Sequence, residues 1–242
     1  LQGQRRFLFR SAASLINGLV DGGEQPLGPQ PLKSDQLVQL RRCDPHGTRL
    51  PGLVLVGSHV PLADQQLEEL LSDARCCGLE LPVARIARVL EGGTPDLLLA
   101  DLEREWLGRM QAVLRCKQTP VLYTSRGELG FGEGQAAERR RVCFGNALAQ
   151  VTARLAAAVA PQLGYLISKG GITTGTLLAD GLGLGTVLLE GQLMPGLSMV
   201  RPMESEGIAG VTGLPVITFP GNLGDAGTLA KAWRLMEHIE AE

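Results

Sequence analysis

Short unbroken apolar runs alternate along this chain with longer stretches in which apolar residues recur every three or four positions. The short runs predict strands at Leu53–Val56, Leu79–Ala84, Pro120–Tyr123, Leu163–Ile167, Val187–Leu189, Leu197–Val200 and Val216–Phe219. The periodic stretches predict helices. Ala63–Cys77 carries a Leu67, Leu70, Leu71, Ala74 stripe, and Thr94–Arg115 carries Leu99, Leu102, Trp106, Met110 and Val113. Gln135–Val159 presents Phe144, Leu148, Val151, Leu155 and Ala158, and Ala226–Ile239 presents Leu229, Ala232, Trp233, Met236 and Ile239. A shorter helix over Thr173–Asp180 is stopped by the glycines of Gly181–Gly185. Gly22–Pro31 reads as a linker and Gly127–Gly134 as a mobile glycine loop.

Strands alternating with helices predict an α/β fold: a mostly parallel sheet with helices on both faces, in three layers, as a single domain over residues 1–242. Ligands of such sheets bind beyond the carboxyl ends of the strands. Ser58, Ser125, Gly170–Thr173 and Gly221 all fall just after predicted strands, so they are compatible with one site.

Two glycine turns carry the candidate chemistry. Ile167–Thr174 reads Ile-Ser-Lys-Gly-Gly-Ile-Thr-Thr, and Thr218–Asp225 reads Thr-Phe-Pro-Gly-Asn-Leu-Gly-Asp. Each follows a strand and leads into helical spacing, which frees backbone N–H groups for an anion. Taken singly, each is as well read as a tight turn, with Thr173 or Asp225 capping the next helix. Together they favour a phosphate-bearing ligand such as a nucleotide. Neither matches a P-loop, and Gly181–Gly185 follows a helix rather than a strand, so it is no dinucleotide fingerprint. Lys169 beside the first turn reads first as an exposed lysine and second as a phosphate partner. Arg139-Arg140-Arg141 reads as a solvated helix face. His59 has no Ser–Asp arrangement at readable spacing, which argues against a triad built on Ser58 or Ser125.

Composition narrows the partners. Of 242 residues 44% are hydrophobic and 4% aromatic, so a sizeable core is built mainly from aliphatic side chains. The net charge of -2 argues against nucleic acid or an acidic membrane as partner. No apolar run reaches a membrane span, the longest candidate near Ala153–Leu166 being broken by Arg154, Pro161, Gln162 and Gly164. The five cysteines, Cys43, Cys76, Cys77, Cys116 and Cys143, fit no zinc spacing and read as thiols of a reducing cytoplasm, with Cys76-Cys77 inside a helical pattern. No metal cluster is readable. The chain starts at Leu1, as a fragment or processed form would.

The ordered series Arg10–Ser14, Val56-Gly57-Ser58, Tyr123–Arg126, Ser168–Thr174, Met194-Pro195-Gly196 and Pro220–Gly224 resembles the C-terminal half of the four-carbon acid sugar kinase family. The resemblance runs from Leu1 to Glu242. It implies an ATP-binding domain whose missing N-terminal half holds a short sugar acid and an Asp-rich catalytic motif. Family members transfer the γ-phosphoryl group of ATP, with Mg2+, to the terminal hydroxyl of tetronates or 3-oxo-tetronates. Carried over residue by residue, the nucleotide contacts are Ser58, Gly170, Gly171, Ile172, Thr173 and Gly221. Two positions depart from the family. An Asp or Glu usually stands where Ile172 is, and the second turn usually begins Lys-Ser rather than Phe219-Pro220. Lys169 or Asp180 could compensate. No Asp-Asp-Leu-Thr-Gly-Ala type motif occurs, so the chain alone is expected to bind nucleotide without turnover. A module that keeps the fold and has lost kinase activity is the rival expectation. A homo-oligomer is admitted.

Overall fold

The computed structural model describes residues 31–126, 130–204 and 206–238. The Arg10–Ser14 motif and most of the Gly22–Pro31 linker lie outside them, as do three residues of the Gly127–Gly134 loop. Five parallel strands form the sheet's centre: β1 (Gly52–Val56), β2 (Cys76–Leu81), β3 (Thr119–Thr124), β4 (Tyr165–Lys169) and β7 (Val216–Phe219). An antiparallel hairpin of β5 (Val187–Met194) and β6 (Leu197–Pro202) completes one side. The order across the sheet is β2-β3-β1-β4-β7-β6-β5.

All five residues of β1 and of β4 are buried. This is why their sequences read as continuous apolar runs rather than alternating ones. Leu53 and Leu55 of β1 face one core, Val54 and Val56 the other. The first core is closed by α3 (Val83–Leu90), α4 (Pro95–Arg115) and α5 (Gln135–Val159), through Ile86, Trp106, Met110, Val151 and Leu155. The second is closed by α1 (Ser34–Leu40), α2 (Pro61–Leu71) and α7 (Thr228–Glu237), through Leu37, Leu67, Leu70, Leu229 and Trp233. The three-layer α/β expectation holds for the described residues. α5 is long and apolar enough by composition to cross a membrane, but its Leu148, Val151, Leu155 and Ala156 are spent on this core.

From β1 the chain leaves through α2 on one face and travels to β2. From β3 it returns over the other face through α5 to β4. Opposite directions of travel on opposite faces give these two crossovers the same hand, as parallel connections require. They also put a topological switch point between β1 and β4, whose chains leave toward opposite faces of the sheet.

Some local expectations fail, for identifiable reasons. Cys76 and Cys77 lie in β2, not in a helix: α2 ends at Leu71, and the Asp73 carboxylate accepts the Arg75 amide at 3.0 Å in a tight turn. Cys76 is buried, and burial raises its thiol to a pKa of about 12. The Leu79–Ala84 run is not one strand. Pro82 breaks it, and Val83 opens α3 instead.

Candidate functional site

Three turns meet at the switch point. Gly57-Ser58 follows β1, Gly170 follows β4 and caps α6 (Gly171–Thr176), and Pro220-Gly221 follows β7. The strands are in register to their ends, Val56 opposite Lys169 and Lys169 opposite Phe219. The Gly57 amide donates to the Lys169 carbonyl at 3.0 Å, and the Gly170 amide donates to the Phe219 carbonyl at 2.9 Å. The ladder therefore continues one residue past the strands and fixes the turns against one another.

The glycines are needed because the turns touch. A Cβ on Gly57 would fall on the Thr173 hydroxyl, and a Cβ on Gly221 would lie 2.8 Å from Ser58 Oγ. Gly170 has φ +117°, a conformation that only glycine adopts without strain. The structure thus brings Ser58, Gly170, Thr173 and Gly221 together, as the sequence predicts, with Gly171 and Ile172 next along the chain. Their roles divide differently. The Gly170 amide is committed to Phe219, so Gly170 supplies shape and no donor. Among the described residues the amides of Gly171, Ile172 and Thr173 have no protein acceptor. Thr173 does not cap the helix, since Gly170 does, and its side chain is buried in the junction. Ile172 is 68% exposed, an apolar side chain facing water where the turn projects.

Beside this junction opens a cavity of about 520 Å³, within the usual range for a small-molecule site. Gly57, Ile172 and Thr173 form one wall and α5 the other, through Arg141, Phe144 and Leu148. Ser58, Gly170, Gly171 and Gly221 are not among its lining residues. Its polar floor is His59, Asp64, Thr124 and Arg126. Arg126 Nη1 donates to the Ser58 carbonyl at 2.6 Å. Its Nε lies 3.0 Å from Asp64 Oδ1, close enough for an ion pair, yet neither atom completes an aligned hydrogen bond. Among the described residues buried Nε and Nη2 have no aligned acceptor and so keep donor capacity beside the cavity. His59 bonds Thr124 Oγ1 at 2.9 Å, and burial, then the Arg126 charge, lower its pKa, so the ring is neutral at pH 7.

Sequence reasoning missed most of this floor. Arg126 was legible only as part of a motif, and Arg141, read as a solvated residue, lines the cavity. Lys169 is the clearest reversal: it is fully buried, not exposed. The hydrolase reading loses its serines. Ser125 Oγ accepts the Val83 amide at 3.0 Å and so caps α3, and the His59 ring bonds threonine rather than serine. Ser125→Ala is expected to cost about 1 kcal/mol of stability, as loss of a cap does, and to leave ligand affinity unchanged. Urea denaturation together with calorimetric titration checks both.

Comparison with known proteins bears on the family and the fold. A family model described as a nucleotide-binding C-terminal domain matches residues 53–229. None of the curated proteins matches the chain in sequence. Among solved structures, a domain of unknown function from Bordetella bronchiseptica, a domain-swapped dimer with bound citrate, superposes with a TM-score of 0.61 at 19% identity, covering 80% of this chain and 42% of that one. A Haemophilus influenzae protein of the same domain-of-unknown-function class superposes with a TM-score of 0.54 at 18% identity, covering 77% and 40%. The chain therefore spans about two fifths of the length of these solved relatives.

Proposed function

The chain belongs to the nucleotide-binding C-terminal domain family, as its ordered motifs lead one to expect, and on that premise we propose that it holds the phosphates of ATP at the β1–β4 switch point for a kinase acting on a short sugar acid. The observation that carries the reading is the convergence of three glycine turns too close for a Cβ, with unclaimed amides at Gly171, Ile172 and Thr173. Amides fixed in advance bind an anion without paying again for their order. Arg126, with spare donors beside the same junction, adds positive charge. Phe131 and Phe144, 5.6 Å apart on the cavity wall, offer an apolar surface for a flat base.

Among the described residues no three His, Cys, Asp or Glu side chains cluster for a metal. Asp64, the carboxylate of the cavity, faces Arg126. Magnesium would therefore arrive on the triphosphate with its own waters, which suits its reluctance to dehydrate. On this reading the acceptor acid and the group that orients its hydroxyl are the business of the part of the longer relatives that this chain does not span.

Titration with ATP and magnesium by calorimetry is the test. Saturable heat with a Kd below about 1 mM is expected, and no heat at millimolar ATP would end the proposal. One observation favours a second reading, a binding module without turnover. Ile172 presents no carboxylate at the exposed lip of the site. Joining this chain to its remaining sequence and assaying phosphoryl transfer to tetronates separates the two: turnover supports the kinase, and ATP binding without turnover supports the module.

A further inference from the structure

The turn after β7 is held from beneath by two buried polar side chains. Lys169 Nζ donates to the carbonyls of Gly221 at 3.0 Å and Pro220 at 3.3 Å, with the Phe219 ring 4.2 Å away. Gln66 of α2, also fully buried, donates from Nε2 to the carbonyls of Asp225 at 2.6 Å and Leu223 at 3.0 Å. Both acceptors of Gln66 are carbonyls, so its amide must present nitrogen to both.

Four carbonyls of the seven-residue turn 220–226 thus point inward. In a planar trans peptide the C=O of one residue and the N–H of the next point in opposite directions. The amides of Gly221, Asn222, Gly224 and Ala226 are thereby turned outward. Among the described residues none of these four donates to a protein acceptor, and Asn222, Gly224 and Ala226 are exposed. Gly221 packs against Ser58, so this row of amides continues the junction of turns described above.

We infer that Gln66 and Lys169 are positioning residues that shape the 220–226 turn into an outward-facing row of amides for a phosphate chain, with the Lys169 ammonium strengthening those amides from behind. Polarisation through the peptide carries the effect: a cation on the carbonyl oxygen makes the paired N–H a better donor. The inference rests on the nucleotide reading for the identity of its ligand, but not for the geometry of the turn.

Among the described residues Lys169 has carbonyl acceptors and no carboxylate partner. Burial alone lowers its pKa, to about 8. The groups facing it are the Pro220 and Gly221 carbonyls and the Phe219 ring, with uncharged Gln66 holding the rest of the turn. The turn's own carboxylate, Asp225, is engaged by the Thr228 hydroxyl at 2.7 Å.

The test reads affinity against pH. A bound phosphate favours protonated Lys169, so the affinity of wild type for ATP is expected to fall as pH rises from 8. Folding runs the other way. Between about 8 and 10.5 the unfolded chain binds the extra proton, so stability rises with pH in the same window. A lysine with a merely structural role would give affinity that is flat or follows stability. Lys169→Met is expected to lower ATP affinity roughly tenfold or more at pH 7, to leave adenosine affinity unchanged and to flatten both pH profiles.

Each outcome decides. If ATP binds with a flat profile in wild type, or Lys169→Met binds it as tightly, the positioning role falls and the nucleotide reading stands. If ATP fails to bind while inorganic tripolyphosphate binds with the falling profile, the turn stands and the nucleotide reading falls. If neither binds, both fall. Should Lys169→Met not fold, the opposed wild-type profiles of affinity and stability decide alone.

Discussion

Gly57→Ala is expected to lower stability by about 1–3 kcal/mol and ATP affinity by roughly tenfold or more. The new methyl group would fall on the Thr173 hydroxyl, with Thr173 Cβ 3.0 Å and Cγ2 3.2 Å away. Thr173 is buried and cannot swing into solvent without moving α6. The strain therefore lands on the contact that holds the β1 turn against the β4 turn. Thr173→Ala tests the cause, because it removes the hydroxyl and methyl and leaves only Cβ. In a double-mutant cycle the pair is expected to be more stable than the sum of the single changes by about 1 kcal/mol or more. Additive losses would mean that Gly57 is needed for its backbone rather than for the space above it. Thermal or urea unfolding gives the stabilities, and calorimetry gives the affinity.

What could be read from sequence depended on how far apart the deciding contacts lie. β1, β7 and α5 were legible to within a residue or so because each signal is local: an unbroken apolar run ended by glycine or proline, or 25 residues of helical spacing. α3 was not legible, because its first residues extend the apolar run of β2 and only Pro82 divides them. The glycine turns were legible as turns. Their agreement in space was only implied, because the pairings that join them are distant in sequence: Val56 lies opposite Lys169, and Lys169 opposite Phe219. Lys169 shows the limit. Nothing in Ser168-Lys169-Gly170 says that the side chain is buried, because its acceptors, the Pro220 and Gly221 carbonyls, stand 51 and 52 residues away. Gln66, 157 residues before Leu223, was hidden in the same way.

Trp233→Ala is expected to be the costliest single change in the second core, about 3–5 kcal/mol. The indole is 1% exposed, its Nε1 donates to Thr119 Oγ1 at 3.0 Å, and the Arg75 guanidinium lies 5.2 Å from the ring centroid. It joins α7 to the start of β3, so its loss leaves a cavity and an unpaired buried hydroxyl at once. Trp233→Phe keeps most of the apolar volume and should cost less than half as much. Circular dichroism in urea is the suitable measurement, since fluorescence would lose one of its two tryptophans. The midpoint is expected to fall with the slope unchanged. The effect reaches the site because α7 begins where the 220–226 turn ends. Thr228, its first residue, receives the Asp225 amide at 2.8 Å and donates to the Asp225 carboxylate. A loosened α7 frees the turn's far end while Lys169 and Gln66 still grip the rest. Phosphate affinity should therefore fall in Trp233→Ala under conditions where the protein remains folded, and should be nearly normal in Trp233→Phe. Full affinity in folded Trp233→Ala would show that the two buried donors hold the turn without help from the helix.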